Sequence, residues 1–140
     1  MKNLFVALTL VLAFISCKEK ETKEEPQGPS KMEQVVAIHD ELMPKMSEIG
    51  AIIAKLEANI DSTNVDSVKV RAVAELKMAN ESMMTWMKSF GSAFESDEIM
   101  NGAALSDEKT KILDAFEISA NELRNQMESA IKNAMSALDN

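Results

Sequence analysis

The residues of this chain that carry the most chemistry are one histidine, one tryptophan and eleven methionines. His39, Met43 and Met46 follow at spacings of four and three, which sets them on one face of a helix. Met83 and Met87 flank Trp86 in the stretch Met83-Met84-Thr85-Trp86-Met87. Folding these two stretches back on each other about a turn near residue 62 brings His39 level with residue 85, and Met46 level with Met78. The same construction about residue 98 brings Ile112 and Leu113 to the His39 level from a third stretch. Imidazole with thioether donors favours Cu(I), and by the same softness Ag(I), over zinc or calcium. The candidate metal ligands are therefore His39, Met43, Met46, Met83 and Met87, with Trp86 adjacent.

That set resembles the His-Met-Met-Trp group of periplasmic copper carriers, on an unrelated fold. Packing is the competing account and the favoured one. Methionine is flexible and unbranched, and fills irregular space such as that beside a proline in a helix; His39 would then be a histidine at the edge of the core. Enzymatic machinery is not expected. The chain has no phosphate-cradling glycine loop, no Glu-x-x-His repeat and no serine–histidine–acid spacing, and its one cysteine is committed elsewhere.

Three amphipathic stretches must position these side chains. The first, about 31–59, has Met32, Val35, His39, Leu42, Met46, Ile49, Ile53, Leu56 and Ile60 at alternating steps of three and four, the period of a buried helical seam. Ser30 and Glu33 have the spacing of a capping box. Pro44 lies inside the pattern without breaking it, which predicts a kinked helix rather than two. The second, about 65–90, has Val65, Val68, Ala72, Leu76, Ala79, Met83, Trp86 and Phe90, with Gly91 read as its terminator. The third, about 106–138, starts at a Ser106 cap and has Leu113, Phe116, Ala120, Leu123, Met127, Ala130, Ala134 and Leu138. The acidic stretch 92–105 is expected to be a solvated loop turning at Asn101-Gly102, with Phe94, Ile99 and Met100 pinning it down. It lacks the ligand spacing of a calcium loop. The predicted fold is all-α, an antiparallel up-down-up three-helix bundle on a disordered, lipid-anchored N-terminal tether. A longer coiled coil between two chains is the alternative.

The amino terminus sets the compartment. Lys2 precedes an apolar run from Leu4 to Ile15 broken only by Thr9, too short to span a bilayer and of signal-peptide length. It ends Ala13-Phe14-Ile15-Ser16-Cys17, which resembles the bacterial lipoprotein lipobox with Phe14 in place of the usual leucine. The reading is a signal peptide over 1–16, lipidation at Cys17, a charged tether to residue 30, and the bundle over 31–140. Lys18 to Ser30 has no large apolar residue and closes with Pro26, Gly28 and Pro29. Extended, it holds the domain up to about 40 Å from the membrane. A formal charge of −8 disfavours nucleic acid and anionic lipid head groups as partners.

Taken together, the lipobox, the charged tether, His39-Asp40-Glu41-Leu42-Met43-Pro44-Lys45-Met46, Met83-Met84-Thr85-Trp86-Met87 with Phe90-Gly91, and Ser96 to Leu105 resemble a group of small Bacteroidota lipoproteins. Automated naming calls these "viral A-type inclusion protein", and the resemblance implies no established activity and no ligand residue. The charged segment after the cysteine also resembles the export tags of surface lipoproteins in Bacteroidota. The functional expectation is a non-enzymatic envelope protein on the periplasmic face or cell surface. It is anchored through Cys17 and binds an unknown protein partner or a second copy of itself. The alternative is an envelope Cu(I) or Ag(I) binder.

Overall fold

A computed structural model describes residues 28–60 and 66–139. Cys17, the apolar run before it, the expected tether up to residue 27, and residues 61–65, where the sequence predicts a turn, lie outside the described residues. The fold is all-helical, with four helices among them: α1 (Lys31–Ala58), α2 (Ser67–Ala93), α3 (Ser96–Met100) and α4 (Asp107–Leu138).

Each long helix starts where a side chain supplies a missing acceptor for the first turn's free amides. At α1, Ser30 Oγ accepts from the Glu33 N–H and the Glu33 carboxylate accepts from the Ser30 N–H, a complete capping box. Asp66 Oδ1 accepts from the Val68 and Lys69 amides at α2, and these bonds hold its carboxyl below the usual range. Ser106 Oγ accepts from the Lys109 N–H at α4.

Helix α1 is one continuous helix through Pro44. Proline there removes the amide that would bond the Asp40 carbonyl. Because Pro44 is exposed and its neighbours are already helical, Pro44→Ala is expected to stabilise the fold by about 1–3 kcal/mol, read as a raised midpoint in urea with unchanged slope.

The three long helices each pack on the other two. Their shared core is one cluster: Met32, Val35, Leu42, Ile49, Ile52 and Leu56 of α1, Ala72, Val73, Leu76, Ala79, Met83, Trp86 and Phe90 of α2, and Leu113, Ala120, Leu123, Met127, Ala130, Ala134 and Ala137 of α4, with Phe94 after α2. Ion pairs decorate the seams. Lys31 meets Asp114 and Glu117, Glu41 meets Arg124, and Lys45 meets Glu128 between α1 and α4; Glu57 meets Lys77 between α1 and α2. Exposed pairs of this kind contribute at most about 1 kcal/mol each, so they mark register more than they hold the fold.

Several expectations need correcting. Helix α2 does not stop at Gly91 but runs to Ala93, because the turn beyond it carries Phe94 into the core, only 4% exposed. In α1 the fully buried position is Ile52 while Ile53 is half-buried, and in α2 Val68 is 48% exposed. A straight helix at 3.6 residues per turn drifts off a strict seven-residue repeat, so the stripe read from the sequence rotates away from the core toward the helix ends.

The acidic connection is not simply a solvated loop. It holds α3, whose Glu98 accepts from the Glu95 N–H and from Lys109 Nζ at 2.6 Å. The Lys109 ammonium, with the Glu95 amide second, holds this carboxyl below the usual glutamate range, and its side chain is only 11% exposed. Gly102 lies at φ +68, a region that favours glycine, and lets the Ala103 N–H reach the Asp97 carbonyl. Ile99 packs against the core, but Met100 is 78% exposed and pins nothing.

Candidate functional site

At the level of the α1 histidine, every aromatic ring of the described residues meets. Trp86 stacks on Phe90 with centroids 4.9 Å apart and takes Phe116 edge-on at 5.7 Å. Phe94 and Phe116 close the group. His39 lies parallel to the indole at 6.1 Å and 21°. The sequence construction set His39 level with residue 85, and the ring contact places it beside Trp86. The third helix arrives in a different register. Phe116 and Ser119, rather than Ile112 and Leu113, stand beside Trp86, and Ile112 is 37% exposed. The connection containing α3 takes up residues that a simple turn would have left to α4.

Polar groups at this level are satisfied in a chain. The Trp86 indole N–H donates to Ser119 Oγ at 3.0 Å, and the Ser119 hydroxyl donates to the Phe116 carbonyl at 3.0 Å. His39 Nδ1 lies 2.9 Å from Asp40 Oδ1. A carboxylate only accepts, so Nδ1 carries a proton in this contact and, in the neutral ring, Nε2 keeps its lone pair. Nε2 makes no hydrogen bond among the described residues, and the side chain is 28% exposed.

The methionines of the candidate set separate by environment. Met83 is wholly buried and belongs to the core. Met46 and Met87 are half-buried against it. Met43, one turn beyond His39, is 40% exposed. Cys17 lies outside the described residues.

A second feature lies on the other flank of Trp86. Between α2 and α4 runs a groove in three adjoining sections. The one at Trp86 has a volume of about 540 Å³ and is floored by Trp86, Phe116 and Leu123. It continues through Met78 and Gln126 into a section of about 300 Å³, and through Glu75 and Asn133 into one of about 380 Å³ that ends at Val68 and Ala137. Its α2 wall is Val68, Arg71, Glu75, Met78, Ser82, Thr85 and Ser89. Its α4 wall is Ser119, Glu122, Gln126, Ser129, Asn133 and Ser136. Both walls step by three and four without a break. These are second stripes, lying beside the apolar ones and written in mostly polar residues, and a search for apolar periodicity alone passes over them. Glu81 and Glu122 stand at the Trp86 section, which no lysine or arginine lines.

No family model, curated protein or solved structure matches the chain.

Proposed function

We propose that this protein is a non-enzymatic, lipid-anchored helical-bundle protein of the bacterial cell envelope, and that its α2–α4 groove takes up a basic amphipathic helix of a protein partner. The finer fold is part of the same reading. Contacts between α1 and α4 keep one offset of 83 residues, Lys31 to Asp114 and Glu41 to Arg124. Contacts between α2 and α4 run in opposite order, Trp86 to Ser119 and Glu75 to Asn133. This supports an up-down-up three-helix bundle, with α3 as an added turn in the second connection.

The observation that carries the groove is its pair of walls. Steps of three and four sustained over three heptads on α2 and more than two on α4 are what another helix needs for knobs-into-holes contact. From Val68 to Ser89 the groove is about 30 Å long at 1.5 Å per residue. Glu81 and Glu122, which make no ion pair among the described residues, favour lysine or arginine on the incoming helix. A second copy of this chain would set those carboxylates against each other. Among the described residues no helix is long and apolar enough to cross a membrane, and the acylated Cys17 supplies the anchor in this reading.

Trp86, the sole tryptophan, borders the groove and reports on it. Titrating the full-length protein in detergent with a 21-residue leucine–lysine amphipathic peptide is expected to change Trp86 emission saturably at one peptide per chain. Glu81→Gln with Glu122→Gln should weaken binding about three- to tenfold at low salt, and Thr85→Arg should weaken it further. Equal weakening by Glu48→Gln with Glu108→Gln, away from the groove, would reduce the effect to overall charge. Equal binding of a leucine–glutamate peptide would overturn the basic partner.

A further inference from the structure

The groove leaves the opposite flank of Trp86 unexplained, where α1 and α2 meet beside His39. We infer that this seam is a binding site for a monovalent soft metal ion, Cu(I) or Ag(I), held by Nε2 of His39 and the thioethers of Met43 and Met87. The inference does not depend on the groove, which uses the other face of the indole's helix.

Three observations lead there. The first is the state of the imidazole. Asp40 Oδ1 at 2.9 Å orients the ring through Nδ1, and among the described residues Nε2 has no hydrogen-bond partner, so the lone pair it has in the neutral ring is open to a metal ion. A carboxylate behind a histidine is the usual outer partner of a metal-bound imidazole, where it orients the ring and raises its basicity.

The second is the placement of the sulfurs. Packing accounts for Met83 and Met127, which have no exposed surface. Met43 leaves 40% of its surface in water one helical turn from His39, so its sulfur is not taken up by the core. Side chains at i and i+4 on a helix are neighbours, so His39 and Met43 form a two-donor unit on α1. The stacking of His39 on Trp86 sets the two helices level at this point. Met87, the residue after Trp86 and half-buried against the core, supplies a third donor from α2. Met46 is one further turn along α1 and stays with the core cluster.

The third is donor chemistry. Among the described residues no three His, Cys, Asp or Glu side chains gather as a hard or borderline metal site. One imidazole with two thioethers suits a d10 monovalent ion and is too soft for calcium or magnesium and too poor in anionic or imidazole donors for zinc. The indole face beside the ring adds a cation–π contact and shields one side from water.

The test uses Ag(I), which is redox-inert, titrated into the full-length protein in detergent, with Trp86 emission and methionine ε-methyl NMR as readouts. The expected result is one ion per chain, a shift of the Met43 and Met87 methyls, and a ring-nitrogen shift confined to Nε2 of His39. Met43→Leu with Met87→Leu conserves volume and removes both sulfurs. It should lower affinity at least a hundredfold while the unfolding midpoint stays within a few degrees. His39→Ala should do the same. Asp40→Ala should lower affinity about tenfold and spread the nitrogen shift over Nδ1 and Nε2, which a merely structural role for Asp40 would not do. Equal shifts at exposed Met78, Met84, Met100 and Met135 would mean adventitious thioether binding and overturn the site. So would affinity retained by the double leucine variant.

Discussion

Trp86→Ala is expected to destabilise the protein by about 3–5 kcal/mol, the range for truncating a buried large aromatic side chain. The indole is 8% exposed and touches three other rings, Phe90, Phe116 and His39, so its loss opens a cavity that three helices border. Helices pinned on both sides cannot close such a cavity by a small shift, which puts the cost toward the upper end. Against a total stability of about 5–15 kcal/mol for a single domain, the variant stands near the unfolding threshold at growth temperature. The check is chemical denaturation followed by far-ultraviolet circular dichroism, since the variant has no tryptophan. Trp86→Phe separates the contributions. It keeps most of the ring contact and loses only the N–H donated to Ser119, whose hydroxyl still donates to the Phe116 carbonyl. Its cost should be about 1–2 kcal/mol, from one hydrogen bond and a small volume change. Equal loss in the two variants would mean that the hydrogen bond, not the ring stack, holds this level together.

Cys17→Ser is expected to move the protein from the membrane fraction to the soluble fraction. Each acyl methylene buried in lipid is worth about 0.8 kcal/mol, and two or more chains give an anchor that does not exchange on the timescale of fractionation. The apolar run from Leu4 to Ile15 is too short to replace it by spanning the bilayer. Detergent-phase partitioning measures the shift. The intact mass of the extracted wild-type chain should equal a polypeptide starting at Cys17 with its acyl groups added. Unchanged partitioning of the serine variant would refute lipid anchoring.

How far the sequence reached differs from element to element. Two helix starts were legible because a cap is a local event: Ser30 with Glu33 and Ser106 with the amide of Lys109 each close within one turn. The Asp66 cap of α2, which starts at Ser67 rather than about 65, was not read. The end of α2 was not legible either. A glycine suits a helix terminus, but at Gly91 the burial of Phe94 one turn later outweighs the cost of glycine inside a helix, about 1 kcal/mol. Burial of Phe94 depends on Phe90 and Phe116, and Phe116 is distant in sequence. The His39–Trp86 level could be found by folding two helices about a short turn, since one turn fixes one offset. The partner level on α4 could not, because α3 occupies part of the connection and its presence rests on Glu98 meeting Lys109 across eleven residues.

The chemistry divides in the same way. Residue type and spacing were enough to single out His39 and the methionines as candidate donors to a soft metal ion, since donor chemistry belongs to the side chain and helical spacing to the local backbone. Periodicity likewise determined which face of each long helix is apolar. Only the tertiary structure decided which sulfurs remain in water and which are consumed by the core, because exposure is set by what a neighbouring helix covers. It withdrew Met83 into the interior, left Met43 beside a histidine whose Nδ1 is already held by Asp40, and joined two polar stripes, unremarkable in either helix alone, into one groove.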